Sequence, residues 1–314
     1  MSKQIAIVFP GQGSQSVGML AELAAAQPLV EATFAEASAV LGMDLWHLVS
    51  QGPKELLDRT DLTQPAMLTA GVAVWRVWQA AGGPQPAWLA GHSLGEFTAL
   101  VCADALGFAD AVALVVQRGR FMQEAVPPGA GAMAAILGLP DDQVAAACEE
   151  AAQGQVLAPV NYNSPGQVVI AGEAAAVERG IAAAKARGAK RAVPLPVSVP
   201  SHCALMRPAA ERLAEALAAV DIAAPRIPVL HNASVDTAQT PEAIRERLVR
   251  QLYSPVRWVE TVRRLGDAGV TRVIEAGPGK VLAGLTKRID DRLEGLAVFD
   301  PKGLAAALEA TQHD

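Results

Sequence analysis

Gly91-His92-Ser93-Leu94-Gly95 sets a serine between two glycines at the spacing a nucleophile uses. The chemistry would be nucleophilic attack by the serine hydroxyl. A serine hydroxyl is a weak nucleophile until a base within hydrogen-bond reach removes its proton. Trp88-Leu89-Ala90 reads as a short buried strand and the chain from about Glu96 as a helix, so Ser93 falls on a strand-to-helix turn. Such a turn exposes the hydroxyl, and its glycines let backbones approach closely. The amide of Leu94, at the helix start, is then placed to donate to an oxyanion. In a chain with 27 glycines the pattern alone is weak, and the strand–turn–helix context lifts it above an ordinary βα turn.

Five histidines compete for the role of base. His313 lies in the tail, and His47 follows Trp46 in a helical stretch and reads as a packing residue. His92 adjoins the serine, where neighbouring side chains diverge. His231 follows a strand and stays a loop-end candidate. His202 follows Pro194, Pro196 and Val199-Pro200, in a loop ahead of a helix that settles at Pro208. Pattern alone leaves the choice open.

Arg118 has Leu114, Val115, Phe121 and Met122 at helical spacing, all apolar, whereas Arg120 faces Val116, Gln117, Gln123 and Glu124. An arginine on an apolar stripe either snorkels to water or meets an anion.

The elements that position these residues read as an α/β domain with a largely parallel sheet. Ile5–Phe9, Trp88–Ala90, Val229-Leu230 and Val273–Glu275 are its strands, with helical stretches between. The middle differs. Strand-like Ala132–Leu137, helical Asp141–Ala152, strand-like Val156–Val160, the turn Asn163–Gly166, strand-like Gln167–Ala171, helical Ala174–Arg187 and extended Ala192–Val199 follow in that order. This β-α-β-β-α-β order is the split, ferredoxin-like unit. Proline-marked ends make it an insertion: residues 128–197 form a small subdomain inside a large α/β-hydrolase-like domain of residues 1–127 and 198–314.

Half of the residues are hydrophobic (51%) and 18% are charged, so a sizeable core is expected and disorder is not. The net charge of −6 argues against nucleic acid or an anionic membrane as partner. Cys102, Cys148 and Cys203 are odd in number and widely spaced, which yields neither a disulfide framework nor a zinc site. No apolar run approaches membrane-spanning length, and a cytoplasmic protein is the expectation. Gly11-x-Gly13 fails the dinucleotide fingerprint at Ser16. Gly277-Pro278-Gly279-Lys280 fails the phosphate loop at Ile274 and Val281.

Seven segments in order carry a resemblance. They are Pro10–Gln15, Gly91–Glu96, Gln117-Arg118-Gly119, Asn161–Gly166, Val199-Pro200-Ser201-His202, Arg250–Tyr253 and Glu275–Lys280. Together they resemble the malonyl-CoA:acyl-carrier-protein transacylases of fatty acid synthesis, over nearly the whole chain. The resemblance implies a ping-pong enzyme with Ser93 as nucleophile and His202 as base, its imidazole steadied by the main-chain carbonyl of Gln251 rather than by an aspartate. It implies backbone amides of Gln12 and Leu94 as the oxyanion hole, Arg118 gripping the malonyl carboxylate and Asn161 as a polar cleft contact. The implied partners are malonyl-CoA and acyl carrier protein, with no metal or other cofactor, and a monomer is expected. Basic clusters at Lys185, Arg187, Lys190 and Arg191, and at Lys280, Lys287 and Arg288, read as solvated faces or as docking patches for an acidic carrier. The rivals are a polyketide-pathway malonyltransferase acting in trans, a serine esterase or thioesterase, and a catalytically silent docking subunit.

Overall fold

The computed structural model describes residues 4–197 and 199–312; Met1–Lys3, His313 and the proposed boundary residue Ser198 lie outside them. The strands, in chain order, are β1 (Gln4–Phe9), β2 (Trp88–Gly91), β3 (Gly131–Leu137), β4 (Leu157–Ser164), β5 (Gln167–Glu173), β6 (Arg191–Pro194), β7 (Val229–Leu230), β8 (Val270–Ala276) and β9 (Glu294–Val298). They form two sheets. One is parallel, in the order β7-β2-β1-β8-β9, and the other is antiparallel, in the order β4-β5-β3-β6.

The parallel sheet is buried on both faces, which is why β1 reads as an unbroken apolar run. Ile5, Ile7 and Phe9 point into a core shared with the long helix Thr60–Ala80 and with Phe97, Leu100 and Val115. Ala6 and Val8 point the other way, towards Trp258, Val262, Leu265, Leu282 and Leu285. β9 is an addition to the sequence reading. It is an edge strand whose residues are mostly half-buried, so it lacks the apolar run that marks its neighbours.

In the antiparallel sheet one face packs against the helices Asp141–Ala152 and Ala174–Ala186 through Ile136, Val144, Cys148, Ile170 and Val177. The other face carries Met133, Val160, Val169 and Ala171 against Cys203. β4 runs further than the sequence pattern indicates. It continues through Asn163 to Ser164, and the turn is confined to Pro165-Gly166. Two register shifts on β4, at Pro159/Asn161 and Tyr162/Ser164, bracket Asn161 and Asn163. Bulges of this kind re-aim side chains. β4 is also stitched to the chain ahead of the helix Trp258–Asp267: Tyr162 N donates to Val256 O at 3.0 Å and Val256 N to Val160 O at 2.8 Å. No described helix is long and apolar enough to cross a membrane.

Candidate active site

Ser93 follows β2, where the chain reverses into the helix Gly95–Cys102, and its φ of 52° lies in the left-handed region. Such a φ on a residue with a side chain costs about 1–3 kcal/mol and persists only where the surroundings fix it. The flanking glycines are required by space. A Cβ on Gly91 would lie 1.9 Å from the carbonyl carbon of Gly95, and one on Gly95 would lie 2.1 Å from Phe9 O. Asn232 clamps the turn from outside: Ser93 N donates to its Oδ1 at 2.7 Å, and its Nδ2 donates to Gly91 O at 2.6 Å.

His202 Nε2 sits 2.7 Å from Ser93 Oγ, and its Nδ1 sits 2.8 Å from Gln251 O. A carbonyl only accepts, so Nδ1 carries the proton and Nε2 offers its lone pair to the serine hydroxyl. The imidazole is 3% exposed. Burial, then the charge of Arg118, pull its pKa down to about 3, so it is neutral across the physiological range. His202 itself has φ 65° and is pinned by its N–H to Leu252 O at 3.0 Å.

Arg118, on the helix Phe108–Glu124, is 1% exposed, so the snorkelling alternative does not hold. Its Nη1 donates to Gln64 Oε1 at 2.8 Å and its Nη2 to Gln251 Oε1 at 3.0 Å. The guanidinium lies 5.4 Å from the Phe97 ring centroid, and among the described residues its Nε has no partner. Burial lowers its pKa to about 10 against the opposing pull of Glu96, which leaves it charged at neutral pH. A buried cation held by two neutral amides has the charge and the donors to receive a carboxylate.

Ser93, His202 and Arg118 line one cleft of about 110 Å³ with Gln12, Leu94 and Asn161, roofed by Met133, Leu195 and Val197. The Gln12 side chain donates to Thr60 Oγ1 at 3.3 Å. The backbone amides of Gln12 and Leu94 bond to no other described residue. Asn161 Oδ1 is buried without a partner among the described residues. All seven residues singled out in the sequence therefore converge: six line the cleft, and Gln251 lies behind it, holding His202 and Arg118.

The remaining histidines sort by geometry. His92 Nε2 bonds Asn163 Oδ1 at 2.8 Å, tying the elbow to β4. His231 Nδ1 lies 2.7 Å from Glu96 Oε1, which removes it as a candidate base. His47 is exposed, not packed: in the helix Leu45–Gln51 the inward positions belong to Leu45, Leu48 and Val49.

These distances define a serine–imidazole–carbonyl relay beside a buried arginine, and comparison with known proteins supplies its kin. The acyl transferase domain matches residues 6–295. The malonyl CoA-acyl carrier protein transacylase of Escherichia coli (strain K12) is 63% identical over 306 residues, covering 98% of this chain and 99% of that one. The chain belongs to the malonyl CoA-acyl carrier protein transacylase family, and it is an acyltransferase. Among solved structures, the family member from Coxiella burnetii aligns with a TM-score of 0.98 at 52% identity, covering 100% of this chain and 99% of that one. A malonyl-transacylase solved in complex with a type II polyketide acyl-carrier protein aligns at 0.97 and 59% identity, covering 98% and 100%.

Sequence reading did not single out Gln64, Glu96, Asn232 or the Gln251 side chain. Glu96 is fully buried; its Oε1 accepts from His231 Nδ1 and its Oε2 from Asn232 N at 2.9 Å and Gln251 Nε2 at 2.8 Å. Gln251 Nε2 also donates to Ser93 O at 3.0 Å. The available signal was a set of amides and a carboxylate inside stretches otherwise apolar enough to be core, as in Thr63-Gln64-Pro65-Ala66-Met67.

Proposed function

We propose that the chain moves malonyl from malonyl-CoA to the phosphopantetheine thiol of acyl carrier protein through a Ser93 ester, supplying fatty acid elongation. The observation that carries the reading is the Ser93–His202–Gln251 carbonyl relay with the buried Arg118 cation in the same cleft. His202 Nε2 takes the Ser93 proton as Oγ attacks the thioester carbonyl, and the Gln12 and Leu94 amides receive the oxyanion. The C–S bond then breaks and coenzyme A leaves as the thiol, carrying the proton back from His202. The carrier thiol repeats the sequence on the serine ester, with His202 again taking and returning one proton. Arg118 holds the free malonyl carboxylate, which acetyl lacks, and Asn161 offers the incoming thioester arm an acceptor. This cycle draws on no metal or redox cofactor.

The architecture in this reading is a large α/β-hydrolase-like domain (1–127 and 198–314) with a ferredoxin-like insertion (128–197). The elbow after a parallel strand supports the first, and the antiparallel order β4-β5-β3-β6 with both helices on one face supports the second. We place the enzyme in the cytoplasm as a monomer, with neither nucleic acid nor membrane as partner. A polyketide carrier is the second reading for the acceptor, favoured by the solved complex of a relative with such a carrier.

Intact-protein mass spectrometry after brief exposure to malonyl-CoA tests the proposal. One malonyl adduct is expected, absent in Ser93→Ala and discharged by holo acyl carrier protein. Free malonate accumulating without an adduct would make the chain a hydrolase. Neither adduct nor turnover would make it a docking subunit.

A further inference from the structure

Among the described residues no carboxylate lies on Arg118, a cation in the core: its direct partners are two neutral amides and an aromatic face. A charge so placed is costly unless something compensates it. The compensating group lies one residue further on. Glu96, fully buried in the first turn of the helix Gly95–Cys102, accepts from the same Gln251 side chain that accepts from Arg118. Arg118, Gln251 and Glu96 thus form a cation–amide–anion relay, and Glu96 does not line the cleft. The separation matters chemically. A carboxylate bonded directly to the guanidinium would fill the fork that a substrate carboxylate needs, whereas one set behind a glutamine offsets the charge and leaves donors free.

We infer that Glu96 is a positioning and specificity-tuning residue: a remote counter-ion that keeps Arg118 charged and open to the acyl carboxylate while limiting how tightly that carboxylate is held. The inference rests on the reading of Arg118 as the malonyl receptor. Limiting the grip serves a ping-pong transferase, because malonyl must leave with the carrier, and ground-state affinity that persists in the product slows release. The same carboxylate also anchors the elbow. Through Asn232 it reaches Ser93 N, and through Gln251 Nε2 it shares a donor with Ser93 O. Charge and scaffold roles must therefore be separated by experiment.

Glu96→Gln separates them. With its amide nitrogen turned to His231 and its oxygen to Asn232 and Gln251, every hydrogen bond is kept if His231 moves its proton to Nε2, which now has no partner among the described residues. Only the charge is lost. Calorimetric dissociation constants for malonyl-CoA and acetyl-CoA are measured in a Ser93→Ala background, where no ester forms. Glu96→Gln is expected to tighten malonyl-CoA by about tenfold, the order for one unit charge removed from the far end of the Glu96–Gln251–Arg118 relay in a site of effective dielectric about 20, and to leave acetyl-CoA unchanged. In the otherwise wild-type enzyme the same change should lower KM and kcat together for malonyl and neither for acetyl. Equal changes for both thioesters, or no change for malonyl-CoA, would reduce Glu96 to scaffold and overturn the inference. Arg118→Met reports on the underlying reading: if it fails to weaken malonyl-CoA selectively, that reading falls, whatever Glu96 does. Should Glu96→Gln not fold alone, Glu96→Gln with Arg118→Met decides. A folded double variant supports a charge pair, since neither ion is left uncompensated, and an unfolded one overturns it.

Discussion

Asn232→Ala tests how far the elbow depends on a residue that does not line the cleft. The side chain is 1% exposed and spans the turn, taking Ser93 N–H on one atom and reaching Gly91 O with the other. Each lost hydrogen bond nets about 0.5–1.5 kcal/mol, and each buried group left unpaired costs about 1–3 kcal/mol, so a loss of about 2–4 kcal/mol is expected. For a domain this large that lowers Tm by roughly 4–16 °C. The effect on rate has a separate origin. Ser93 is held at φ 52°, and without the clamp the turn relaxes and carries Oγ away from its 2.7 Å contact with His202 Nε2. A misplacement of about 1 Å costs about 100-fold in rate. Asn232→Asp should be no better, because it keeps the acceptor for Ser93 N but turns an oxygen towards Gly91 O and adds a carboxylate beside Glu96. The assay is rapid-quench mass spectrometry of the malonyl-enzyme, normalised to folded protein, with Tm measured alongside. Acylation within threefold of wild type, at a lowered Tm, would refute the link between the clamp and catalysis. The glycines and Gln251 would then suffice to hold the turn.

Gln64→Glu places a carboxylate directly on Arg118 Nη1 without disturbing His202, so the malonyl-to-acetyl acylation ratio should fall roughly 10- to 100-fold, the equivalent of a charge-assisted hydrogen bond; an unchanged ratio would refute Arg118 as the selector. Because burial and Arg118 hold His202 near pKa 3, the single-turnover acylation rate should stay flat from pH 7.5 down to about 5, and a fall centred near 6.5 would contradict it. The folded state resists a proton that the unfolded chain binds below its ordinary pKa of about 6.5, so this residue's contribution to stability is full above that pH and declines as pH falls towards 3; urea midpoints across that range check the sign. Gly284→Ala, in the helix Val281–Ile289 with open space around its Cβ, should stabilise by about 0.5–1 kcal/mol, while Gly95→Ala should fail to give soluble enzyme; equal thermal behaviour of the two would refute the packing account.

What could be read from the sequence was local. Ser93 and its glycines declare themselves because strand, turn and helix lie within a dozen residues, and the constraint on Gly95 comes from Phe9 on the neighbouring strand. His202 could not be chosen by pattern, since its partner Ser93 is 109 residues away and nothing in Pro200-Ser201-His202 encodes that approach; the family resemblance selected it. Glu96 stands beside the motif yet reads as an ordinary acid in a helix's first turn. Only the fold reveals that His231, Asn232 and Gln251 converge on it. The bulges on β4 were invisible for a similar reason. Two register shifts replace simple alternation there, so Asn163, assigned to a turn, instead sits on a strand and meets His92. A half-buried edge strand such as β9 has no apolar run to mark it, and His47 faces outward because Leu45, Leu48 and Val49 fill the inward side of a short helix.

The group behind His202 is a carbonyl, and its neighbours give the reason. A carboxylate there would lie close to a buried guanidinium that already reaches Gln251 at 3.0 Å, and would be drawn into pairing with it. Both functions would suffer: the imidazole would lose its orienting acceptor, and the arginine would lose the donors a substrate carboxylate needs. A main-chain carbonyl fixes the tautomer of His202 through one hydrogen bond, carries no net charge and cannot swing towards Arg118. Its cost is a weaker hold on the imidazolium that forms during the reaction. On the proposed reading, a malonyl carboxylate on Arg118 would neutralise the cation that, after burial, depresses His202, and would offset part of that cost for malonyl alone. Gln251 is therefore the joint of the site. One residue holds His202 through its backbone, and through its side chain it holds the Ser93 turn, Arg118 and Glu96.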